Sequence, residues 1–157
     1  VNGVAAGAGA NIALCCDVVV ASAAASFIQA FSKIGLVPDS GGTFFLPRLI
    51  GFQKASALMM LGDKISAEDA EKMGMLYKVF PAEDFETEAM QLAETLANMP
   101  THGLALTKKC LNESLTNSFE EQLLQEDTCQ REAASTNDYA EGVAAFIEKR
   151  KPIFTGN

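Results

Sequence analysis

Two stretches hold residues whose types and spacing could do chemistry. In Val1–Asp17, VNGVAAGAGANIALCCD, Gly3, Gly7 and Gly9 alternate with Ala5, Ala6, Ala8 and Ala10 ahead of the apolar run Ile12–Cys16. Small residues let a ligand approach the backbone, and glycine reaches the φ/ψ values that a sharp turn can require. A helix beginning near Ala8 would present its first N–H groups without intrahelical acceptors, at the positive end of its dipole. Such an end suits an oxyanion or a phosphate. The second stretch, Phe27–Gly42 (FIQAFSKIGLVPDSGG), closes on Pro38-Asp39-Ser40-Gly41-Gly42-Thr43, turn chemistry with one carboxylate at the bend. Backbone donors plus one placed carboxylate suit proton transfer beside a carbonyl. Each half also has a simpler use. From spacing alone, a turn or N-cap role ahead of Gly41 is the leading reading of Asp39. Gly7-Ala8-Gly9 fits close packing of a helix on a strand equally well.

The elements that must position these residues follow from periodicity and breakers. Gly9–Cys16 reads as a short buried helix, Asp17–Ala21 as a buried strand and Ser26–Gln29 as a second short strand. Ser32–Val37 reads as loop. Helices are expected over Gly41–Leu49 and Gln53–Leu61, broken at Gly51, with Pro47 in or ending the first. Ser66–Asp69 resembles a capping box whose helix stops at Gly74. Tyr77–Phe80 is a strand candidate. Phe85, Ala89, Leu92, Ala93 and Leu96 fall on one helical face. Thr101–Leu115 is a further helix, and Ser118–Glu121 is a capping box for the next. Ser135–Asp138 opens a last helix with an apolar face of Tyr139, Val143, Phe146 and Ile147. The organisation is therefore α/β, mixed over residues 1–80 and helical over 81–157.

Composition narrows the function classes. A chain of 157 residues, 48% hydrophobic with ten Phe, can bury a core of its own. A net charge of −8 lacks the basic face of a nucleic-acid binder. No apolar run reaches the roughly 20 residues that span a bilayer, and no membrane partner is expected. Cys15, Cys16, Cys110 and Cys129 have no CxxC spacing, and His102 is the one histidine, so neither a metal site nor a Ser-His-Asp triad is expected. Reduced thiols in a cytoplasmic setting fit this cysteine usage. The chain opens at Val1, without Met, inside the glycine-rich stretch, which raises the expectation of a fragment or a processed product.

Four ordered blocks carry a specific resemblance. NGVAAGAGANIALCCDVVVAS, FSKIGLVPDSGGTFFLPRLIG, LGDKISAEDAEKMGMLYKVF and YAEGVAAFIEKRKPIFTG resemble the crotonase (enoyl-CoA hydratase/isomerase) superfamily across essentially the whole chain. Within it, GVAAGAGAN with IQAF and GLVPDSGG most resembles the branch of ring-1,2-epoxyphenylacetyl-CoA isomerases of phenylacetate degradation. The resemblance implies the C-terminal part of a ββα spiral over residues 1–80, then a helical trimerisation region over 81–157, in a homotrimer or hexamer. It implies an acyl-CoA thioester substrate, with coenzyme A arriving on the substrate and no other cofactor. It also places one of two oxyanion-hole amides, and much of the CoA surface, in turns of the spiral that these residues do not match.

Position by position, the resemblance assigns the second oxyanion N–H to Ala8, flanked by Gly7 and Gly9. Asn11 and Phe31 stand where the hydratase branch carries its two glutamates, and neither can serve as a general base. They remain, with Ile34, candidates for contact with substrate. Asp39 matches the catalytic Asp of isomerase and dehalogenase members. Phe146 and Lys149 match residues that reach CoA in some members, often on a neighbouring subunit. An Asp39 carboxylate enclosed by Phe31, Ile34 and Leu36 would suit a group that both takes and returns a proton. The expected activity is isomerisation of an acyl-CoA. The alternatives are a 2-enoyl-CoA hydratase, and a catalytically silent subunit or fragment that only assembles.

Overall fold

A computed structural model describes all 157 residues. The chain divides into two units, Val1–Ala89 and Met90–Asn157.

The first unit is built on short strands. β1 (Val4–Ala6), β3 (Ser26–Ile28) and β4 (Lys64–Ser66) form one sheet, with β3 in the middle. β1 runs parallel to β3, pairing Val4 with Ser26 and Ala6 with Ile28. β4 runs antiparallel to β3, pairing Phe27 with Ile65. A second, two-stranded sheet pairs β2 (Val20–Ser22) in parallel with β5 (Lys78–Phe80). Helix α1 (Ala8–Leu14) follows β1 after a single residue. A 3-10 turn covers Ala30–Ile34, and α2 (Gly42–Ile50), α3 (Phe52–Leu61) and α4 (Ala67–Lys72) complete the unit. Its core joins Ala10 and Leu14 of α1, Phe27 of β3, Leu46 and Ile50 of α2, Ala55 of α3, and Ala67 and Ala70 of α4. Small residues dominate where helix meets sheet, so backbones pack closely there.

The glycine-rich segment expected as a turn contains strand β1. No local pattern of alternation marks VAA, and pairing with β3 alone makes it a strand. The strand expected over Asp17–Ala21 starts only at Val20, where β5 provides a partner. Ser32, expected in loop, lies in the 3-10 turn. Pro47 lies inside α2, where it removes one helical N–H donor, and the helix ends three residues later at Ile50. At Ser66 the cap is only half a box. Ser66 accepts from the Asp69 N–H at 3.1 Å, but the Asp69 carboxylate takes the Ser66 hydroxyl instead of reaching back to the backbone. Aspartate is one methylene shorter than the glutamate the box requires. Gly74 lies in the left-handed region at φ 84°, just past the end of α4.

Helix α5 (Phe85–Ala97) leads into the second unit, which holds α6 (Thr101–Glu113), α7 (Phe119–Ala134) and α8 (Asn137–Glu148). The box at Ser118 is complete, with Ser118 N–H donating to Glu121 at 2.7 Å and Glu121 N–H donating to Ser118 Oγ at 3.3 Å. The residues expected on the apolar face of α8 are exposed, and Asp138 and Ala145 are its buried residues. Asp138 is buried because it holds the last residues of the chain. Its carboxylate accepts from Thr155 N–H at 2.7 Å and Gly156 N–H at 2.9 Å. No helix is long and apolar enough to cross a membrane.

Candidate active site

The site begins at Gly7. Its N–H donates to Ile28 O at 2.9 Å, the last bond of the β1–β3 edge, while its own C=O accepts the Asn11 N–H at 3.2 Å. One residue therefore ends a strand and caps a helix, and it does so at φ 52° and ψ −124°, a geometry glycine tolerates and other residues do not. No side chain caps α1. The N–H groups of Ala8, Gly9 and Ala10 open the helix, where an intrahelical acceptor is not available. Gly9 is exposed and Ala8 half-buried, and nothing lies within 4 Å of where a Gly9 side chain would begin. The ring of Phe31, held by the 3-10 turn, lies 3.5 Å from the corresponding point on Gly7. Phe31 is buried there and forms one wall of the turn.

Asp39 stands on a turn built from two successive left-handed residues, Ser40 at φ 49° and Gly41 at φ 75°. For Ser40 that conformation costs about 1 kcal/mol. Such strain persists where the surroundings fix it, often at functional sites. The Asp39 C=O accepts two bonds, from Gly42 N–H and from Asn11 Nδ2, each at 2.9 Å. Its carboxylate accepts from Ser40 Oγ at 3.0 Å and is otherwise open to solvent. The Cys15 thiol donates to Asn11 O at 3.2 Å and reaches Ser40 O at 3.5 Å, tying the turn to the end of α1.

The expected enclosure of Asp39 is corrected by these positions. Ile34 is 74% exposed and Leu36 58% exposed, because Ile34 ends the 3-10 turn and Leu36 follows it on a segment that faces outward. Phe31 alone of the three is buried, and it packs on Gly7. Beside the turn, Leu36, Val37 and Pro38 join Phe52, Met59 and Met60 around an apolar hollow of about 350 Å³.

Asn11 is fully buried. Its Oδ1 accepts from Gln29 Nε2 at 2.7 Å, and its Nδ2 serves the Asp39 carbonyl. Gln29 is marked by no motif in the sequence. The available signal was a glutamine at the end of an apolar strand, Ser26–Ile28, where a buried amide must find a partner.

The structure thus brings Gly7, Ala8, Gly9, Asn11, Phe31 and Asp39 into the first unit around α1. Phe146 and Lys149 lie in the second unit, at the end of α8. Phe146 is strongly exposed. Lys149 is the C-cap of α8, left-handed at φ 54°. The segment after it is pinned by Arg150, which contacts Glu141 at 2.6 and 2.8 Å and Glu148 at 2.6 Å. The Arg150 guanidinium, with the Ile153 N–H, holds the Glu141 carboxyl down at a pKa of about 2. No group of three or more His, Cys, Asp or Glu side chains is placed to hold a metal ion.

Comparison with known proteins places the fold in a family. The family model described as enoyl-CoA hydratase/isomerase matches residues 1–157. The chain is 50% identical over 156 residues to the 1,2-epoxyphenylacetyl-CoA isomerase of Escherichia coli K12, covering 99% of this chain and 60% of that protein. It is 46% identical to a protein of Rhodobacter capsulatus named probable enoyl-CoA hydratase, covering 99% and 61%. Among solved structures, an enoyl-CoA hydratase from Polaromonas sp. JS666 superposes with a TM-score of 0.92 at 38% identity, covering 98% of this chain and 60% of that one. The chain spans 60–61% of the length of these two curated relatives. A family model matched from end to end, with a fold shared at that TM-score, carries the assignment: the chain belongs to the enoyl-CoA hydratase/isomerase family, the crotonase superfamily.

Proposed function

We propose that this chain carries the Asp39 half of an acyl-CoA isomerase site. The reaction is conversion of a ring-1,2-epoxyphenylacetyl thioester to its oxepin isomer, movement of a double bond from position 3 to position 2 of an enoyl thioester, or both. The observation that carries the reading is the placement of a single solvent-facing carboxylate, Asp39, on a turn bonded to the helix that begins at Ala8. The positions where a hydratase would carry glutamates hold Asn11, committed to buried hydrogen bonds, and Phe31, committed to packing.

In this reading the Ala8 N–H points at the thioester oxygen. When the α-carbon loses a proton, charge gathers on that oxygen, and a preorganised donor there lowers the barrier by roughly 3 kcal/mol. A second amide, which the family resemblance calls for, is assigned to no residue of this chain. For a 3-enoyl thioester, the Asp39 carboxylate takes a proton from C2, the electrons delocalise into a dienolate, and the proton returns at C4. For the epoxide, the same oxyanion support eases redistribution of ring electrons as the bridging C–C bond opens, and Asp39 stabilises the developing positive charge. The apolar hollow beside Pro38 offers space for hydrocarbon of the acyl group. Phe146 and Lys149 are proposed to meet coenzyme A.

Relatives named as hydratases keep water addition as the second reading. The test is to offer the purified protein three thioesters: the ring epoxide, a 3-enoyl and a 2-enoyl. Isomerised products, separated by retention time because their mass is unchanged, support the proposal. Fast hydration of the 2-enoyl thioester without isomerisation supports the hydratase instead.

A further inference from the structure

Asn11 occupies an unusual place. Its backbone N–H holds the Gly7 carbonyl, and its side-chain amide holds the Asp39 carbonyl. One residue therefore spans the two pieces of the candidate site. We propose that Asn11 and Gln29 form a buried positioning relay, in which Gln29 orients the Asn11 amide and Asn11 fixes the Asp39 turn against the helix that begins at Ala8. The proposal rests on the reading of Asp39 as the working carboxylate.

Three observations support it. First, the amide direction is dictated. Asn11 must turn Nδ2 towards the Asp39 carbonyl, since the reverse orientation would set two acceptors face to face. The Gln29 donor on Oδ1, at 2.7 Å, enforces that choice. Second, the relay carries a structural cost. Gln29 is buried, and donating through Nε2 leaves its own Oε1 without any hydrogen-bond partner. A buried unsatisfied acceptor forfeits about as much as a hydrogen bond contributes, and native structures hold few of them. A residue chosen for packing alone would be apolar here. Third, space is reserved for the amide. A side chain on Gly42 would begin 2.3 Å from Asn11 Nδ2 and 2.6 Å from Oδ1, so the start of α2 is left bare where Asn11 lies. The strained Ser40 conformation beside Asp39 is then held from two directions, by Asn11 on the Asp39 carbonyl and by the Cys15 thiol on Ser40 O.

The test uses two variants of the purified protein. Gln29→Met removes the donor to Asn11 and the orphaned oxygen together, so folding should be little changed while the amide is released. Asn11→Asp keeps shape and the Gln29 bond but replaces the donor facing Asp39 with an acceptor. Two readouts are needed. The Gly42 N–H bonds the Asp39 carbonyl, so its hydrogen exchange reports the turn directly. It should accelerate about tenfold or more in both variants, with the amides of α3 unchanged. In the isomerase assay, kcat should fall about tenfold or more with KM nearly constant, as expected for a group that places a catalyst and does not bind substrate. Wild-type Gly42 exchange in both variants overturns the relay. So does unaltered kcat despite faster exchange, and so does loss of the folded state in both, which would make the pair structural. If the wild type turns over none of the thioesters, the reading of this chain as a working isomerase fails instead, and Gly42 exchange still decides whether the relay holds the turn.

Discussion

Gly42→Ala is a small change with a large expected effect. Gly42 opens α2 with ordinary helical backbone and is absent from the residues at positive φ, so alanine meets no conformational penalty there. Exchanging glycine for alanine at a compatible position would by itself stabilise by roughly 0.4–1 kcal/mol through the unfolded chain. The new Cβ, however, would lie 2.3–2.6 Å from three atoms of the Asn11 amide, where something must shift. Asn11 has nowhere to go, because it is fully buried and bonded at both polar ends. Moving it breaks two hydrogen bonds at about 1 kcal/mol each and adds about 1–3 kcal/mol of overpacking. Net destabilisation should be about 2–4 kcal/mol once the favourable helix contribution is subtracted. Urea unfolding followed by circular dichroism measures it, and a double-mutant cycle assigns it. In an Asn11→Ala background the obstruction is gone, so Gly42→Ala should become neutral or slightly stabilising, a coupling of about 2 kcal/mol or more. Additive effects of the two substitutions would refute the steric argument, and so would a Gly42→Ala protein as stable as its parent.

Other consequences follow from neighbouring features. At Gly7 a methyl group would meet the Phe31 ring at 3.5 Å, an ordinary contact, so the whole penalty of Gly7→Ala lies in φ 52°, ψ −124°; unfolding free energy should drop by about 1–3 kcal/mol, and an unchanged value would mean the turn relaxes freely. The Glu141 carboxyl has its folded-state pKa lowered to about 2, first by Arg150 and then by the Ile153 N–H. A depressed value means its contribution is full above the ordinary glutamate range and is lost as pH falls towards 2. Carbon-detected titration of Glu141 should therefore show a midpoint near 2, with the 150–153 segment loosening over the same interval; an ordinary glutamate midpoint would show that Arg150 does not hold it in solution.

Legibility from sequence tracked how local the determinants are. Helices α5 to α8 stand close to where periodicity and caps put them, because the box at Ser118 and the spacing from Phe85 to Leu96 are written within one or two turns. Strands β1 and β4 were invisible for the opposite reason: Val4–Ala6 and Lys64–Ser66 have no strand pattern of their own and are extended because β3 lies between them. The same distinction runs through the site. The turn at Asp39 and the helix start at Ala8 could be read from glycine, proline and the family resemblance. The openness of the carboxylate could not, since it depends on where Ile34 and Leu36 face after the chain folds. Gln29 was missed because its importance lies in Asn11, eighteen positions away.

Asp39→Asn tests the central claim most directly. The turn should survive the change, because Asn11 and Gly42 hold the backbone carbonyl of residue 39, and an asparagine Oδ1 can still accept from Ser40 Oγ. Asparagine is also at home in turns. Only the ability to take a proton or support positive charge is removed. The measurement is kcat for isomerisation of the ring-epoxide and 3-enoyl thioesters, wild type against variant, with unfolding followed in parallel. The account predicts a loss of about a hundredfold or more, equivalent to about 2.7 kcal/mol of barrier, at unchanged stability. An Asp39→Asn protein that isomerises as fast as wild type would contradict it and return Asp39 to the role of a turn residue.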